Sequence, residues 1–232
     1  MKTWSATAPK AAIMAQKRNA IVAAARESFL RKGYSEASMD EIAALADVSV
    51  KTIYSHFENK AELFQAVIEA ACSDQGLFKQ VRTDEELANK FPWFKDASQR
   101  GLLEAGKQYL HHLLSEQQVA LYRVITRDAD RFPELGQLYQ QSIAHGRTAI
   151  LIAYLRRTAR IRKWKQTDLR QIAEIYEALL RVDIFEKVLH GVRLADAASI
   201  AKRASVSSRL LWKLLNASPG VNSPVVLEHL TF

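Results

Sequence analysis

A chain of 232 residues with 48% hydrophobic content carries enough apolar surface for one large core or two small ones, which excludes a disordered polyelectrolyte. Its 33 lysines and arginines against 25 acids leave a net charge of +8, a balance that favours polyanionic partners through counterion release. The lone cysteine, Cys72, excludes an internal disulfide, and no apolar run is long enough for a secretory signal or a membrane span, so a cytoplasmic protein without a membrane partner is expected.

Glycine and proline are scarce, at 8 and 5, and apolar residues recur at helical spacing, so the expected class is all-α with about nine helices. The first helix is expected over residues 10–32, with Ile21, Val22, Ala25 and Phe29 on one face and Gly33 as its left-handed stop. Ser38 and Glu41 have the spacing of a reciprocal capping box opening a very short helix to Ala46. Asp47 tolerates the tight turn that follows, and Ser49 caps a second short helix to His56 in which Val48, Ile53 and Phe57 point inward. Asn59 and Glu62 repeat the capping logic before a helix carrying Leu63, Phe64, Val67, Ile68 and Ala71.

Residues 73–99 break periodicity at Gly76 and Phe91-Pro92 and read as a hinge. Beyond it, a helix bears Leu102, Tyr109, Leu110 and Leu113, and Ser115 caps another that ends near Arg131. Pro133 opens a long helix, disturbed near Gly146, and two more follow over about 167–189 and 195–215. This divides the chain into an N-terminal three-helix head over 10–58, a connecting helix over 59–81 and a helical body over 97–215.

Two helices of about two turns each are too short to persist alone, and they make sense packed steeply against longer neighbours as a helix-turn-helix whose second helix enters a DNA major groove. Ile53 and Phe57 are its expected anchors, leaving Val50, Lys51, Thr52, Tyr54, Ser55 and His56 to face DNA.

At these residues the sequence resembles the TetR family of transcriptional regulators: Phe29-x-x-x-Gly33-Tyr34, Ser38-x-x-x-Ile42-Ala43, then Ala46-Asp47-Val48-Ser49-x-x-Thr52-Ile53-Tyr54-x-His56-Phe57-x-x-Lys60-x-x-Leu63. It departs at Asp47, where the family usually has glycine, and at Lys51, where a small residue is common. The body resembles AcrR-like members more loosely, through Leu121-Tyr122-Arg123-Val124-Ile125 and Arg131-Phe132-Pro133-Glu134-Leu135. The resemblance implies a repressor, not an enzyme, that binds a palindromic operator on double-stranded DNA as a homodimer and is released by a small-molecule effector of unknown identity.

By that resemblance Val50 and Lys51 touch bases, the lysine donating to guanine, while Ser38, Thr52, Tyr54, His56 and Lys60 serve phosphates and Ser55 lies on the same face. The effector expectation rests on aromatic and polar groups of the middle helices, chiefly Tyr109, Tyr122, Tyr139, His145 and Tyr154, with Trp93, Phe94, Phe132 and Trp164 as further candidates. Tyr176, Leu179, Ile184, Leu210, Leu211 and Leu214 are the expected dimer contacts, because the last two helices are more apolar than one buried stripe requires.

Other signals carry less. The run Gly101 to Gln108 nearly matches a phosphate loop but lacks the hydroxyl and the preceding strand. Asp128 and Asp130 begin like a calcium loop that Phe132-Pro133 ends, no cofactor or metal set is spaced for ligation, and the basic run from Arg156 to Lys165 reads as a solvated helix end. Two alternatives stay open: the same DNA-binding fold controlled by a protein partner, and, more remotely, an all-helical enzyme.

Overall fold

The computed structural model describes residues 9–73, 83–164 and 168–216 and is built of helices, with no strand among the described residues. The head holds α1 (Pro9–Lys32), α2 (Met39–Leu45), α3 (Val50–Tyr54) and the connecting α4 (Lys60–Ser73). Helix α1 stops at Gly33, which adopts φ +91° and donates its N–H to Phe29 O at 2.8 Å. A side chain at Gly33 would be strained and would also overlap the Arg127 guanidinium, which bonds Lys32 O. Asp47 takes the turn between α2 and α3 at φ +52°, a left-handed conformation that Asp adopts more readily than most side chains.

Capping follows the sequence with two changes of partner. Ser38 Oγ accepts from Glu41 N at 3.2 Å, but the Glu41 carboxylate turns away from the cap to Arg31 and Lys32, so half of the reciprocal box forms. Asn59 Oδ1 accepts from Glu62 N at 2.9 Å, and Glu62 reaches one residue further back, to Glu58 N.

The body comprises α5 (Asp84–Lys90), α6 (Gln99–Leu113), α7 (Glu116–Asp128), α8 (Pro133–Tyr139), α9 (His145–Arg162), α10 (Leu169–Arg181), α11 (Ile184–Leu189) and α12 (Ala197–Asn216). Twelve α-helices therefore stand among the described residues where about nine were expected, and each extra one has a local cause. The region read as a hinge holds α5, opened by a complete capping box between Thr83 and Glu86, and a 3-10 turn over Pro92–Lys95. The long helix after Pro133 is divided by a π-helical segment, Gln140–Ala144, just before Gly146. Asp183, at φ +67°, separates α10 from α11. Gly76 and Thr167 lie outside the described residues.

Two apolar cores result, and they do not part where composition changes. One joins Ile21, Phe29, Ile42, Ile53, Phe57 and Phe64 of the head to Leu121, Ile125, Leu135 and Tyr139 of α7 and α8. The other collects Leu87, Phe91 and Phe94 with α6 and α9 to α12. Gly101 and Gly106, the glycines of the near phosphate loop, serve packing: added side chains would overlap Asp96 O and the Tyr154 hydroxyl at the first, and the Tyr176 hydroxyl at the second. Arg157 and Arg162 of the basic run staple α9 to residues 94–97, through Phe94 O, Lys95 O and Ala97 O, Arg157 half-buried and Arg162 still exposed to solvent. Lys165 lies outside the described residues.

Candidate nucleic-acid interface and body cavity

Helix α3 is a lever with one dry side and one wet side. Ser49 Oγ caps it by accepting from Thr52 N at 3.1 Å, which fixes its first turn. Ile53 and, just beyond the helix, Phe57 are 0% and 1% exposed, sunk in the head core, and a helix so anchored must present the intervening positions outward. Tyr54 is 54% exposed, and Lys51 and Ser55 are exposed beside it.

The remaining candidates sit less freely. Val50 and Thr52 are half-buried; Val50 packs on the head core and Thr52 Oγ1 lies 2.9 Å from Ser49 Oγ. Ser55 Oγ donates to Thr52 O at 2.7 Å. His56 leans inward, with Nε2 enclosed and without a hydrogen-bond partner among the described residues. Ser38 is exposed while serving as the α2 cap. Lys60 departs from the expected phosphate role in its immediate geometry: its ammonium donates to Ala37 O at 3.0 Å and Ser35 O at 3.3 Å and lies over the Tyr34 ring. Burial pushes its pKa down, against the opposing field of Asp128. On α1, Lys17 and Arg18 are exposed, and the Arg18 guanidinium stacks over Phe57 at 4.6 Å.

In the body, a small cavity that opens to solvent lies between α6, α9 and the 3-10 turn. Of the expected effector residues Tyr109 lines it, together with Trp93. The others are placed elsewhere. The Tyr154 hydroxyl donates to Asp96 O and Ser98 O as a core strut, Tyr122 packs edge-on to Tyr139 and Phe185, and His145 is exposed at the start of α9. Tyr139 stands behind the wall, accepting from Arg147 at 3.3 Å. Phe94 is core, Phe132 packs on Tyr34, and Trp164 packs on Trp212.

Arg147, His112 and Gln108 supply further polar groups of the lining and were not anticipated. The signal was present: Arg147 stands four residues from both Ile143 and Leu151, on the buried stripe of its helix.

Of the expected dimer contacts, Tyr176, Ile184 and Leu211 are 0%, 3% and 2% exposed and belong to the chain's own core, Tyr176 donating to Leu102 O at 2.7 Å. Leu210 and Leu214 are exposed, in line with Val206 on α12, and Leu179 is half-buried. No helix of the described residues is long and apolar enough to cross a membrane.

A capped short helix held by two apolar anchors beyond a tight turn, with a cation and a phenol on its outer face, defines the class: a helix-turn-helix DNA-binding regulator. The model for bacterial regulatory proteins of the tetR family matches residues 21–67, and that for the C-terminal domain of AefR-like transcriptional repressors matches residues 100–209. The chain belongs to the TetR family of transcriptional regulators.

It is 43% identical over 54 residues to the transcriptional repressor BepR of Brucella suis, covering 23% of this chain and 26% of that protein. It is 44% identical over 54 residues to the transcriptional activator FasR of Mycolicibacterium smegmatis, covering 23% and 25%. These matches thus span about a quarter of the curated relatives' length. Likeness extends further among solved structures. A TetR-family regulator of Mesorhizobium loti aligns with TM-score 0.71 at 25% identity over 87% of this chain and 97% of its own. The flavonoid-responsive regulator FrrA aligns with TM-score 0.70 at 25% identity over 88% and 100%.

Proposed function

We propose that this regulator is a repressor that binds a palindromic operator as a homodimer, reads it with α3, and leaves it when a small molecule occupies the cavity between α6 and α9. The observation that carries the reading is the two-sidedness of α3: Lys51 and Tyr54 outward over a sealed Ile53 and Phe57. Lys51 donates to a guanine edge, and Tyr54 and Thr52 hold the backbone, with Ser55, Val50, Ser38, His56 and Lys60 at the margin of the contact.

Repression is supported by the AefR-like repressor match of the body, while the head alone resembles repressors and an activator alike. One head reads too few base pairs for useful specificity, so pairing at half-sites about 34 Å apart, or a multiple of that, is required of such a reader. Val206, Leu210 and Leu214, with Leu179 nearby, supply the apolar stripe for a two-fold contact. The aromatic lining of the cavity favours a small ligand over control by a protein partner, and responsiveness of a structural relative to a flavonoid accords with an aromatic effector.

The effector acts by binding one of two head arrangements better than the other. The cavity wall reaches the head through Arg147, Tyr139 and the π-helical segment, which packs against α4. Selection of random duplex DNA by the purified protein tests the reading. An enriched inverted repeat with half-sites one or two helical turns apart is the expected result; recovery of unrelated sequences at every salt concentration would refute it.

A further inference from the structure

Arg147 is 7% exposed, yet among the described residues it forms no ion pair and uses little of its donor capacity. Its Nη2 donates to the Tyr139 hydroxyl at 3.3 Å, while Nε and Nη1 are buried without a hydrogen-bond partner among the described residues. The Glu177 carboxylate, the acid whose field reaches it, instead accepts from Thr148 at 2.8 Å. A guanidinium offers five N–H donors, and a buried cation with open donors is costly unless an anion completes the site. The Tyr109 and Tyr139 rings lie 5.7 and 5.8 Å from the guanidinium carbon and offset part of that cost.

Everything else in the wall points to a ring. Trp93 is stacked on Phe91 at 5.3 Å and held by Gln108, and Tyr109, Ile150 and Leu151 continue an apolar surface. The enclosed part of the cavity is small and its mouth is open to solvent, which limits an occupant to a single ring with a short substituent. We propose that the cavity binds a small aromatic monocarboxylic acid, its carboxylate paired with the fork of Arg147 and its ring against Trp93 and Tyr109. Burial and then the Arg147 charge push the His112 imidazole down to about 3, so at neutral pH it adds no second cation. One guanidinium therefore fits a monoanion better than a phosphate dianion. The regulatory consequence rests on the effector reading above; binding itself does not.

The test is calorimetric titration of the purified full chain with benzoate, 4-hydroxybenzoate and cinnamate, each beside its neutral primary amide. Saturable binding of at least one acid, one per chain and at least tenfold tighter than its amide, is expected. Arg147→Gln should abolish that preference, and Arg147→Lys, which keeps the charge but loses the planar fork, should retain a reduced one. Should Arg147→Gln fail to fold, the acid-to-amide ratio of the unaltered protein and of Arg147→Lys still decides. Equal binding of acid and amide, no binding by any acid, or an acid preference that survives Arg147→Gln would overturn the proposal. A second titration with the selected operator present separates the two readings. Acids that bind without releasing DNA leave this site standing and refute the effector role, whereas amides that release DNA as well as acids do the reverse.

Discussion

The backbone N–H of Tyr34, at the foot of the DNA-reading head, donates to the carboxylate of Asp128 at the end of α7, 2.8 Å away across 94 residues of sequence. Around it, Tyr34 packs edge-on to Phe132 at 4.8 Å, and Arg131 Nη1 donates to Ser35 Oγ at 3.0 Å. The head is thus bolted to α7 and α8 by a buried carboxylate acceptor inside an aromatic cluster, with two arginine bonds beside it. Removing the acceptor orphans a buried N–H, so Asp128→Ala should lower unfolding free energy by about 1–3 kcal/mol. Asp130→Ala, two residues on and exposed, should change it by less than about 0.5 kcal/mol. Urea unfolding of both variants measures the difference, and equal losses would mean that the Tyr34 contact contributes nothing.

Opposite faces of α3 should fail in opposite ways. Tyr54→Phe removes an exposed hydroxyl, so folding should be unchanged while operator affinity falls roughly tenfold, the worth of one hydrogen bond to a charged group. Phe57→Ala should instead cost about 3–5 kcal/mol of stability, because the ring is fully enclosed in the head core. Lys51→Ala should flatten preference at one base position in a panel of operator variants. An unaltered affinity for Tyr54→Phe, or an unaltered preference profile for Lys51→Ala, would remove that side chain from the interface.

What could be read in advance follows from the range of the forces involved. The head was legible because its signals are local: Ser49 and Asn59 cap where their spacing requires, Gly33 stops α1, and Ile53 and Phe57 alternate with outward residues. The α5 cap between Thr83 and Glu86 carries the same signal as Ser38 and Glu41, but the proline and glycine around it masked it. Cavity and interface residues depend on how distant helices meet. Tyr154 and Tyr176 have the composition of ligand or interface groups, yet backbone carbonyls of residues 96, 98 and 102 claim their hydroxyls. Helical periodicity put Arg147 on a buried stripe without indicating that a cavity would open beside it.

The proposed dimerisation can be separated from folding on α12, because the helix divides its leucines between a buried and an exposed side. Leu211 is 2% exposed and belongs to the core, whereas Leu210 and Leu214 are 48% and 67% exposed. At a two-fold contact a residue near the axis meets its own copy, so Leu210→Glu with Leu214→Glu would set like charges against each other. The double variant should keep its helical circular dichroism, sediment as a monomer and lose operator affinity. Leu211→Ala should cost about 2–5 kcal/mol of stability instead. A double variant that stays dimeric would move the interface off this stripe.

Acid should weaken the body through His112. The imidazole is 3% exposed, and burial, then the Arg147 charge, lowers its pKa from 6.5 to about 3. Between those values the unfolded chain binds a proton that the folded chain does not, so this contribution is complete above about pH 6.5 and is lost as pH falls toward 3. The slope for one proton is at most about 1.4 kcal/mol per pH unit. Glu177 acts in the opposite sense, because burial holds its carboxyl above the usual range. The folded state keeps that proton longer as pH rises, so stability from Glu177 is present at low pH and lost as pH climbs through its raised value. Urea unfolding from pH 4 to 7.5 should therefore show a positive slope that His112→Gln flattens or reverses, leaving the Glu177 contribution exposed. If His112→Gln leaves the slope as it was, the imidazole does not stay neutral in the folded protein, and Arg147 faces a second cation across the cavity.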